Sequence, residues 1–370
     1  MRVAVCTDSA AWDDFVAGAG GSLLQSWQWG EFKRRQGWHV LRLVAAQGVE
    51  PRAALQILAR GVAGLGGFFY AAEGPVLPPA DWAGDTEPLV LLFAAARRYG
   101  RAYGALTLRV DPLVGDSAAV AALQRLGLRR SPANVQPAAT AVVELAPSED
   151  QLFANLEKGA RYMVRNARRK GALVRPGGPA DLAAFAAMVA ETGRRKGFGT
   201  RDTAYLRDLA QMVTTHGLGD FMVAEIEGEP IGGILTGTFG PRSSALYAAG
   251  NPTGHKVGGQ YLLHWEAMAR AKGLGCLLYD FRGIGAADDP DDHWAGMTFF
   301  KKRFGTRREE LPGAWDDVYC PVAYRAFLLA QQARRELPKR LHALRPINRN
   351  RAPSRHADGA EDRLPAETVS

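Results

Sequence analysis

Hydrophobic positions along the chain switch between two spacings, and the switch occurs in the same order twice. From Glu87 to Tyr99 apolar residues recur at helical intervals, and the segment leads through Gly100 into the strand-like run Ala105 to Val110, which stops at Asp111-Pro112. In the second half, Tyr261 to Lys272 leads through Gly273 into Cys276 to Tyr279, which stops at Asp280. Each half then closes a short helix on a glycine, within Arg125-Leu126-Gly127-Leu128-Arg129-Arg130 and within Arg303-Phe304-Gly305-Thr306-Arg307-Arg308. A residue without Cβ supplies the left-handed cap from which a new strand can start. Helical spacing also covers Asp150 to Lys170, Asp181 to Lys196 and Thr203 to Thr215, while Phe221 to Ile226, Ile231 to Thr238 and Ser244 to Ala248 read as strands. Glu227-Gly228-Glu229-Pro230 predicts a hairpin turn. The pattern predicts an α+β chain of two similar domains, residues 1–145 and 146–343, with Pro132 to Pro137 and Pro147-Ser148 near the join. Beyond Arg345 aromatic residues stop and Arg, Pro, Asp and Ser accumulate, predicting a disordered tail over 344–370.

Composition agrees with that division. A chain of 370 residues exceeds the size at which one core keeps growing. Apolar residues at 47% and charged residues at 23% suit a globular protein and exclude a fibrous or disordered one. The net charge of +8 favours anionic partners such as RNA, phosphates or an acidic membrane surface, and equally suits a plain basic enzyme. Cys6, Cys276 and Cys320 are odd in number and widely spaced, which argues against a disulfide framework or a thiolate metal site and for a reducing cytoplasm. The N-terminus lacks a signal-peptide layout and no run of 18 apolar residues occurs, so any membrane contact is expected to be peripheral. The seven histidines contain no HxxxH or HxH pair, and neither a metal nor a cofactor is expected.

Several residues carry candidate chemistry. Ser26 is placed to cap a helix in which Trp27, Trp29 and Phe32 are partly buried while Lys33 and Arg34 project from the other side. Arg201 and Tyr205 lie four apart, so on one helical turn they would face the same way and could clamp a phosphate or carboxylate. Asp111, before a proline, suits an exposed loop carboxylate or a simple turn former. Lys158 to Arg175 holds seven basic residues and no acidic one, with Arg161, Arg165 and Arg168 at helical spacing and Arg169 beside them. That face could track an RNA backbone or merely be solvated. His255-Lys256-Val257-Gly258-Gly259-Gln260 precedes a helix, and such glycines can cradle phosphate.

The order strand, helix, glycine turn, strand is similar to the last third of a GNAT-type acyltransferase, and it occurs twice. The segment Gln25-Ser26-Trp27-Gln28-Trp29-Gly30-Glu31-Phe32-Lys33 with Gly37-Trp38 resembles the N-terminal signature of the Fem (FemABX) family, tRNA-dependent transferases that build peptidoglycan interpeptide bridges. Matching motifs continue through Arg161-Tyr162 with Arg165 and Arg169-Lys170-Gly171, Gly197-Phe198 with Arg201 and Tyr205, and Gly232-Gly233. They extend through Tyr261-Leu262-Leu263 with Trp265-Glu266-Ala267, Tyr279-Asp280-Phe281 with Gly283, and Phe300-Lys301 with Phe304-Gly305. The resemblance implies tandem GNAT-like domains, each a mixed, mostly antiparallel sheet flanked by helices, in the compact type without a helical arm.

It further implies transfer of Gly, Ala or Ser from an aminoacyl-tRNA donor to the stem peptide of UDP-MurNAc-pentapeptide or lipid II, in the cytoplasm or at the inner face of the membrane. By that resemblance Lys33, Arg201, Tyr205 and Tyr247 would bind the acceptor, Lys33 at its diphosphate. Lys301 would stabilise the oxyanion formed when an amine attacks the aminoacyl ester, and Asp111 would hold the attacking amine. Arg161, Arg165, Arg168 and Arg169 would contact RNA. Arg303 stands where relatives have a glycine and is expected to crowd the site or shift the lysine. Two other readings stay open: an acyl-CoA-dependent N-acyltransferase, for which Gly258-Gly259 argues, and a non-catalytic RNA- or precursor-binding protein, for which Arg303 argues.

Overall fold

The computed structural model describes residues 1–62, 66–115, 117–196, 199–285 and 294–330. The motif Gly197-Phe198 and the tail expected over 344–370 lie outside them. Helices are α1 (Ser9–Gly18), α2 (Trp27–Arg35), α3 (Glu87–Tyr103), α4 (Ser117–Arg125), α5 (Glu149–Asn155), α6 (Lys158–Arg169), α7 (Asp181–Lys196), α8 (Thr203–Thr215), α9 (Pro252–Val257), α10 (Gly259–Gly273) and α11 (Ala295–Lys302). Strands β1 (Arg2–Val5), β2 (His39–Gln47), β3 (Glu50–Val62), β4 (Gly66–Ala71), β5 (Ala105–Val110) and β6 (Arg129–Arg130) enter a first sheet. Strands β7 (Ala139–Glu144), β8 (Leu173–Pro176), β9 (Phe221–Ile226), β10 (Glu229–Phe239), β11 (Arg242–Gly250), β12 (Leu278–Gly283) and β13 (Arg307–Glu310) form a second. β14 (Trp315–Val318) returns to the first sheet.

The strand orders are β1-β2-β3-β4-β5-β14-β6 and β13-β7-β12-β11-β10-β9-β8. Pairing is antiparallel except for β4 with β5 and β11 with β12. Parallel neighbours need a crossover, which α3 supplies in the first sheet and α9 with α10 in the second. This is the repeat seen in the hydrophobic spacing, two mixed and mostly antiparallel sheets flanked by helices. The chain crosses between the sheets before Ala139 and again after Glu310, so β7 belongs to the second sheet and β14 to the first. Met1–Tyr324 forms one compact unit, and the described residues beyond it, 325–330, are helical.

Several boundaries differ from the spacing for identifiable reasons. α3 runs past Gly100 to Tyr103 and ends on Gly104 at φ +71°. Gly100 lies within the helix, and the Tyr319 ring packs where its Cβ would be. β12 likewise runs through Asp280 to Gly283. The helix expected over Asp150 to Lys170 is two, because Leu156 turns extended to bury its side chain. Arg161 then donates to the freed carbonyls of Ala154 (2.5 Å) and Leu156. The hairpin turn is present as expected, with Glu227 and Gly228 both at positive φ.

The core falls into three apolar clusters. One joins the first sheet to α3 and α4, and one joins the second sheet to α5, α6, α10 and α11. The third draws on both sheets, packing Trp12, Val16 and Phe32 with Leu206, Leu209, Phe221 and Leu235. Each such side chain contributes about 1.5–3 kcal/mol on burial, so the two lobes hold one another in a set relation. β14 adds a polar lock: Asp316 takes a two-pronged contact from Arg109 (2.7 and 2.8 Å) and a hydrogen bond from the Tyr324 hydroxyl (2.6 Å).

Candidate active site

Lys33 ends up inside the aromatic face of its helix. Ser26 caps α2, its hydroxyl accepting from the Trp29 amide at 3.2 Å, and the helix buries Trp29 and Phe32. Lys33 was expected to project into solvent, but it is only 8% exposed, because α8 packs against α2 and closes over it. Its Nζ sits 5.4–5.7 Å from the ring centres of Tyr205, Trp29, Phe32 and Trp38. Burial, with Arg201 and Arg60 adding to it, pushes the ammonium down to about 8.

Arg201 lies outside the helix, one residue before the cap Asp202, so a shared helical turn does not explain its pairing with Tyr205. Its guanidinium nevertheless covers the Tyr205 ring at 4.9 Å and acts electrostatically on Tyr247 of β11. Burial raises both phenols above the ordinary tyrosine range. Lys33, Arg201, Tyr205 and Tyr247 thus form one cluster, cationic and aromatic, suited to a phosphorylated ligand.

β11 is nine residues long yet pairs with β12 only through Arg242, Ser243 and Ser244. Beyond the Ser244–Asp280 pair the two strands part, with Tyr247 on one side and Phe281-Arg282 on the other. Arg282 holds φ +65°, a region that costs a non-glycine residue about 1 kcal/mol or more. Its amide donates to Asp280 Oδ1 at 2.6 Å, and Asp280 also accepts from Thr140 and from Arg242 (2.9 Å). The carbonyls of Arg282 and Gly283 accept from Lys301 Nζ at 3.3 and 2.6 Å. Burial brings Lys301 down to about 8, Asp280 opposing and Arg282 assisting. An ammonium has three donors, so one remains for a ligand. His264, which faces this site from α10, is held neutral, since burial and then the Lys301 charge bring it to about 3.

Asp111, expected in an exposed loop, is 4% exposed. It follows β5 directly, and the turn after β4 folds over it. Its carboxylate accepts from the Tyr70 hydroxyl and the Glu73 amide, both at 2.8 Å, and from the Gln136 amide at 3.3 Å. Burial pushes its carboxyl up to about 7 against these donors, the Glu73 charge adding to the rise. Gln136 also donates to the Tyr70 hydroxyl (3.2 Å) and accepts from Arg282 (3.0 Å), while Arg282 pairs with Glu73 at 2.6 Å. The first lobe's Asp111 and the second lobe's Lys301 therefore meet through Arg282, and Arg282 also acts electrostatically on Tyr247.

The basic helix is less free than its composition implies. Arg161 is spent on the end of α5, Arg168 pairs with Glu266 at 2.8 Å, Arg169 with Asn166 at 2.8 Å, and Arg165 lies over the Phe153 ring at 5.2 Å. Arg165, Arg168 and Arg169 are exposed and Arg161 is half-buried. These four line one face of α6, separate from the Lys33 cluster.

Arg303 does not crowd Lys301. It turns to the opposite side of α11, donates to the Tyr261 hydroxyl (2.8 Å), approaches Glu157 (3.6 Å) and packs on Gly159. Gly258 is likewise explained by the fold: it is left-handed at φ +98°, and a Cβ would meet the Met163 carbonyl of α6 at 2.5 Å. The loop that resembles a phosphate cradle is covered by a helix.

Glu73, Gln136, Arg242 and Arg282 had no local signal in the sequence. Glu73 and Arg282 matter because of backbone conformations that neither residue type favours, and Gln136 lies in a proline-rich join that spacing marks only as a linker.

Residues 154–294 match the acetyltransferase (GNAT) domain family. The lipid II:glycine glycyltransferase of Staphylococcus haemolyticus (strain JCSC1435) is 23% identical over 88% of this chain and 94% of its own. That of Staphylococcus aureus (strain MRSA252) is 24% identical over 88% and 94%. The first alignment spans 405 positions, more than this whole chain of 370, so that relative carries insertions absent here. The crystal structure of FemX superposes with a TM-score of 0.80 at 22% identity, covering 88% of this chain and 99% of that one. A tandem GNAT protein from the clavulanic acid biosynthesis pathway gives 0.52 at 14%, covering 86% and 99%. Both lobes are thus matched along nearly their full length, and the chain has a tandem GNAT fold similar to that of the Fem-type transferases.

Proposed function

We propose that this protein is a tRNA-dependent aminoacyltransferase that adds an amino acid, glycine in the first instance, to the stem-peptide amine of lipid II. Alanine or serine as the amino acid, and UDP-MurNAc-pentapeptide as the acceptor, belong to the same chemistry. The names of the relatives support glycine and lipid II. The observation that carries the reading is that the Lys33, Arg201, Tyr205 and Tyr247 cluster lies within electrostatic reach of Arg282, whose carbonyl accepts from Lys301 and whose guanidinium is joined through Gln136 to Asp111.

The acceptor diphosphate binds the Lys33–Arg201 cluster, and its peptide runs toward the diverging strands. The attacking amine gives a proton to the Asp111 carboxylate, which near pH 7 is available in both forms. A new C–N bond forms as the carbonyl π bond opens, and the former carbonyl oxygen becomes an oxyanion held by the third donor of Lys301; the carbonyl re-forms as the next bond breaks. The C–O bond to the ribose then breaks, the ribose oxygen takes up the proton, and an amide and free tRNA leave. Among the described residues no helix is long and apolar enough to cross a membrane, so a lipid-linked acceptor is met from the side, at the inner membrane face. The exposed arginines of α6 contact the tRNA.

Coenzyme A finds little support, since α6 covers the Gly258-Gly259 turn. The non-catalytic reading loses its argument because Arg303 points away from Lys301. The test mixes purified protein, glycyl-tRNA and lipid II and follows the acceptor by mass spectrometry. A gain of one glycine residue, abolished by ribonuclease, supports the proposal. No gain with glycyl, alanyl or seryl donors, or a gain that survives ribonuclease, contradicts it.

A further inference from the structure

Arg282 joins the two lobes at this site, its guanidinium on Glu73 and Gln136 and its carbonyl on Lys301, and its backbone conformation is unfavourable without a compensating contact. At φ +65° an arginine relaxes toward the ordinary β or α region unless something holds it. Here the guanidinium is anchored on the first lobe, to Glu73 at 2.6 Å and to Gln136 at 3.0 Å. Burial opposes the arginine's charge, and Glu73 and Asp280 more than offset that. Glu73 is itself left-handed at φ +55° and 3% exposed, and it has one carboxylate oxygen without a partner among the described residues. Gly74 behind it packs on Gln25, where a Cβ would lie 2.7 Å from the side-chain amide. Gln25 in turn donates to the Ala72 carbonyl at 2.7 Å. The anchor is thus rigid on the Glu73 side.

We infer that Arg282 is a positioning residue: its ion pair with Glu73 holds a left-handed backbone that aims the Arg282 carbonyl at Lys301, registering the second lobe's lysine against the first lobe's Asp111. This rests on the proposed transfer reaction for its kinetic consequence, but the geometry is testable without turnover. Lys301 is faced by Asp280 and Arg282 on β12 and by neutral His264 on α10, and its acceptors are the Arg282 and Gly283 carbonyls.

Three variants separate the backbone role from the charge. Arg282→Gln removes the anchor and leaves a residue that avoids positive φ, so the carbonyl turns away. Arg282→Gly removes the anchor and the charge but adopts the left-handed region freely. Glu73→Gln leaves Arg282 and weakens its tether. Misplacement of a reacting group by about 1 Å costs on the order of 100-fold. Arg282→Gln and Glu73→Gln are therefore expected to lose about that factor in kcat, with KM within about threefold of wild type, and Arg282→Gly to keep at least about tenfold more turnover than Arg282→Gln.

The second readout is the pH midpoint of Lys301 acylation by acetic anhydride, measured by peptide mass spectrometry. It is expected to rise in Arg282→Gly, where a neighbouring positive charge is lost and the carbonyl stays, and to lie lower in Arg282→Gln, where the acceptor is lost too. Equal turnover in the glycine and glutamine variants, or equal midpoints, overturns the inference. If no aminoacyl donor is used by the wild-type protein, the proposed function fails while the order of the midpoints still decides the role of Arg282.

Discussion

Replacing Lys301 by alanine removes one donor at the point where negative charge develops. Two of the three N–H groups are committed to the Arg282 and Gly283 carbonyls, leaving one for the oxyanion. Loss of a single preorganised oxyanion donor costs about 3–4 kcal/mol, or roughly 100- to 1000-fold in kcat. KM for the acceptor should move by less than about threefold, because the diphosphate cluster at Lys33 is untouched and removing a transition-state contact leaves ground-state binding alone. Lys301→Arg should not rescue turnover, since a planar guanidinium cannot donate to both carbonyls and the oxyanion from the same point. The assay is single-turnover transfer from radiolabelled glycyl-tRNA, with product separated from donor at times down to the quench limit. Retention of kcat within about threefold in Lys301→Ala would refute the assignment, because the transition state would then not depend on this donor.

Further outcomes follow from the same geometry. Asp111 must be ionised to accept a proton and Lys301 must be protonated to stabilise the oxyanion, so kcat should rise with pH through about 7 and fall through about 8; Asp111→Asn should abolish the acid limb of the profile. Lys33→Met should raise the acceptor KM by roughly 10- to 100-fold, the range for a lost charged contact, and acceptor affinity in the wild type should weaken as pH rises through about 8, where Lys33 loses its proton. Arg161→Gln should lower the melting temperature by a few degrees, about 2–4 °C per kcal/mol, with little change in the salt dependence of RNA binding. Arg165→Gln with Arg169→Gln should do the reverse, reducing the slope of log affinity against log salt by about 1 or more.

What the sequence conveys well here is local. Gly127 and Gly305 end helices and stand at positive φ, Ser26 caps α2, and the Glu227-Gly228 turn joins β9 to β10, because each depends on residues within one turn of chain. The repeated helix-to-strand order likewise reflects the two parallel crossovers. The remainder depends on distant partners. Lys33 is buried because Tyr205, far along the chain, closes over it. Asp111 is buried because Tyr70, Glu73 and Gln136 converge on it. β14 leaves the second half to lie beside β5, locked by Asp316 on Arg109, and no periodicity in four residues announces that destination. Arg282 reads as an ordinary strand residue, and only the backbone reveals its left-handed turn.

The central claim is that an acceptor anchored at Lys33 and Arg201 delivers its stem-peptide amine to Lys301. An acceptor analogue in which that amine is replaced by an aldehyde tests this directly, since an aldehyde condenses with a nearby lysine and reduction by cyanoborohydride makes the link permanent. Tryptic mapping should find the label on Lys301, and Lys33→Met with Arg201→Gln should abolish it. Label spread over surface lysines, or label on Lys301 that persists in the double variant, would contradict the claim.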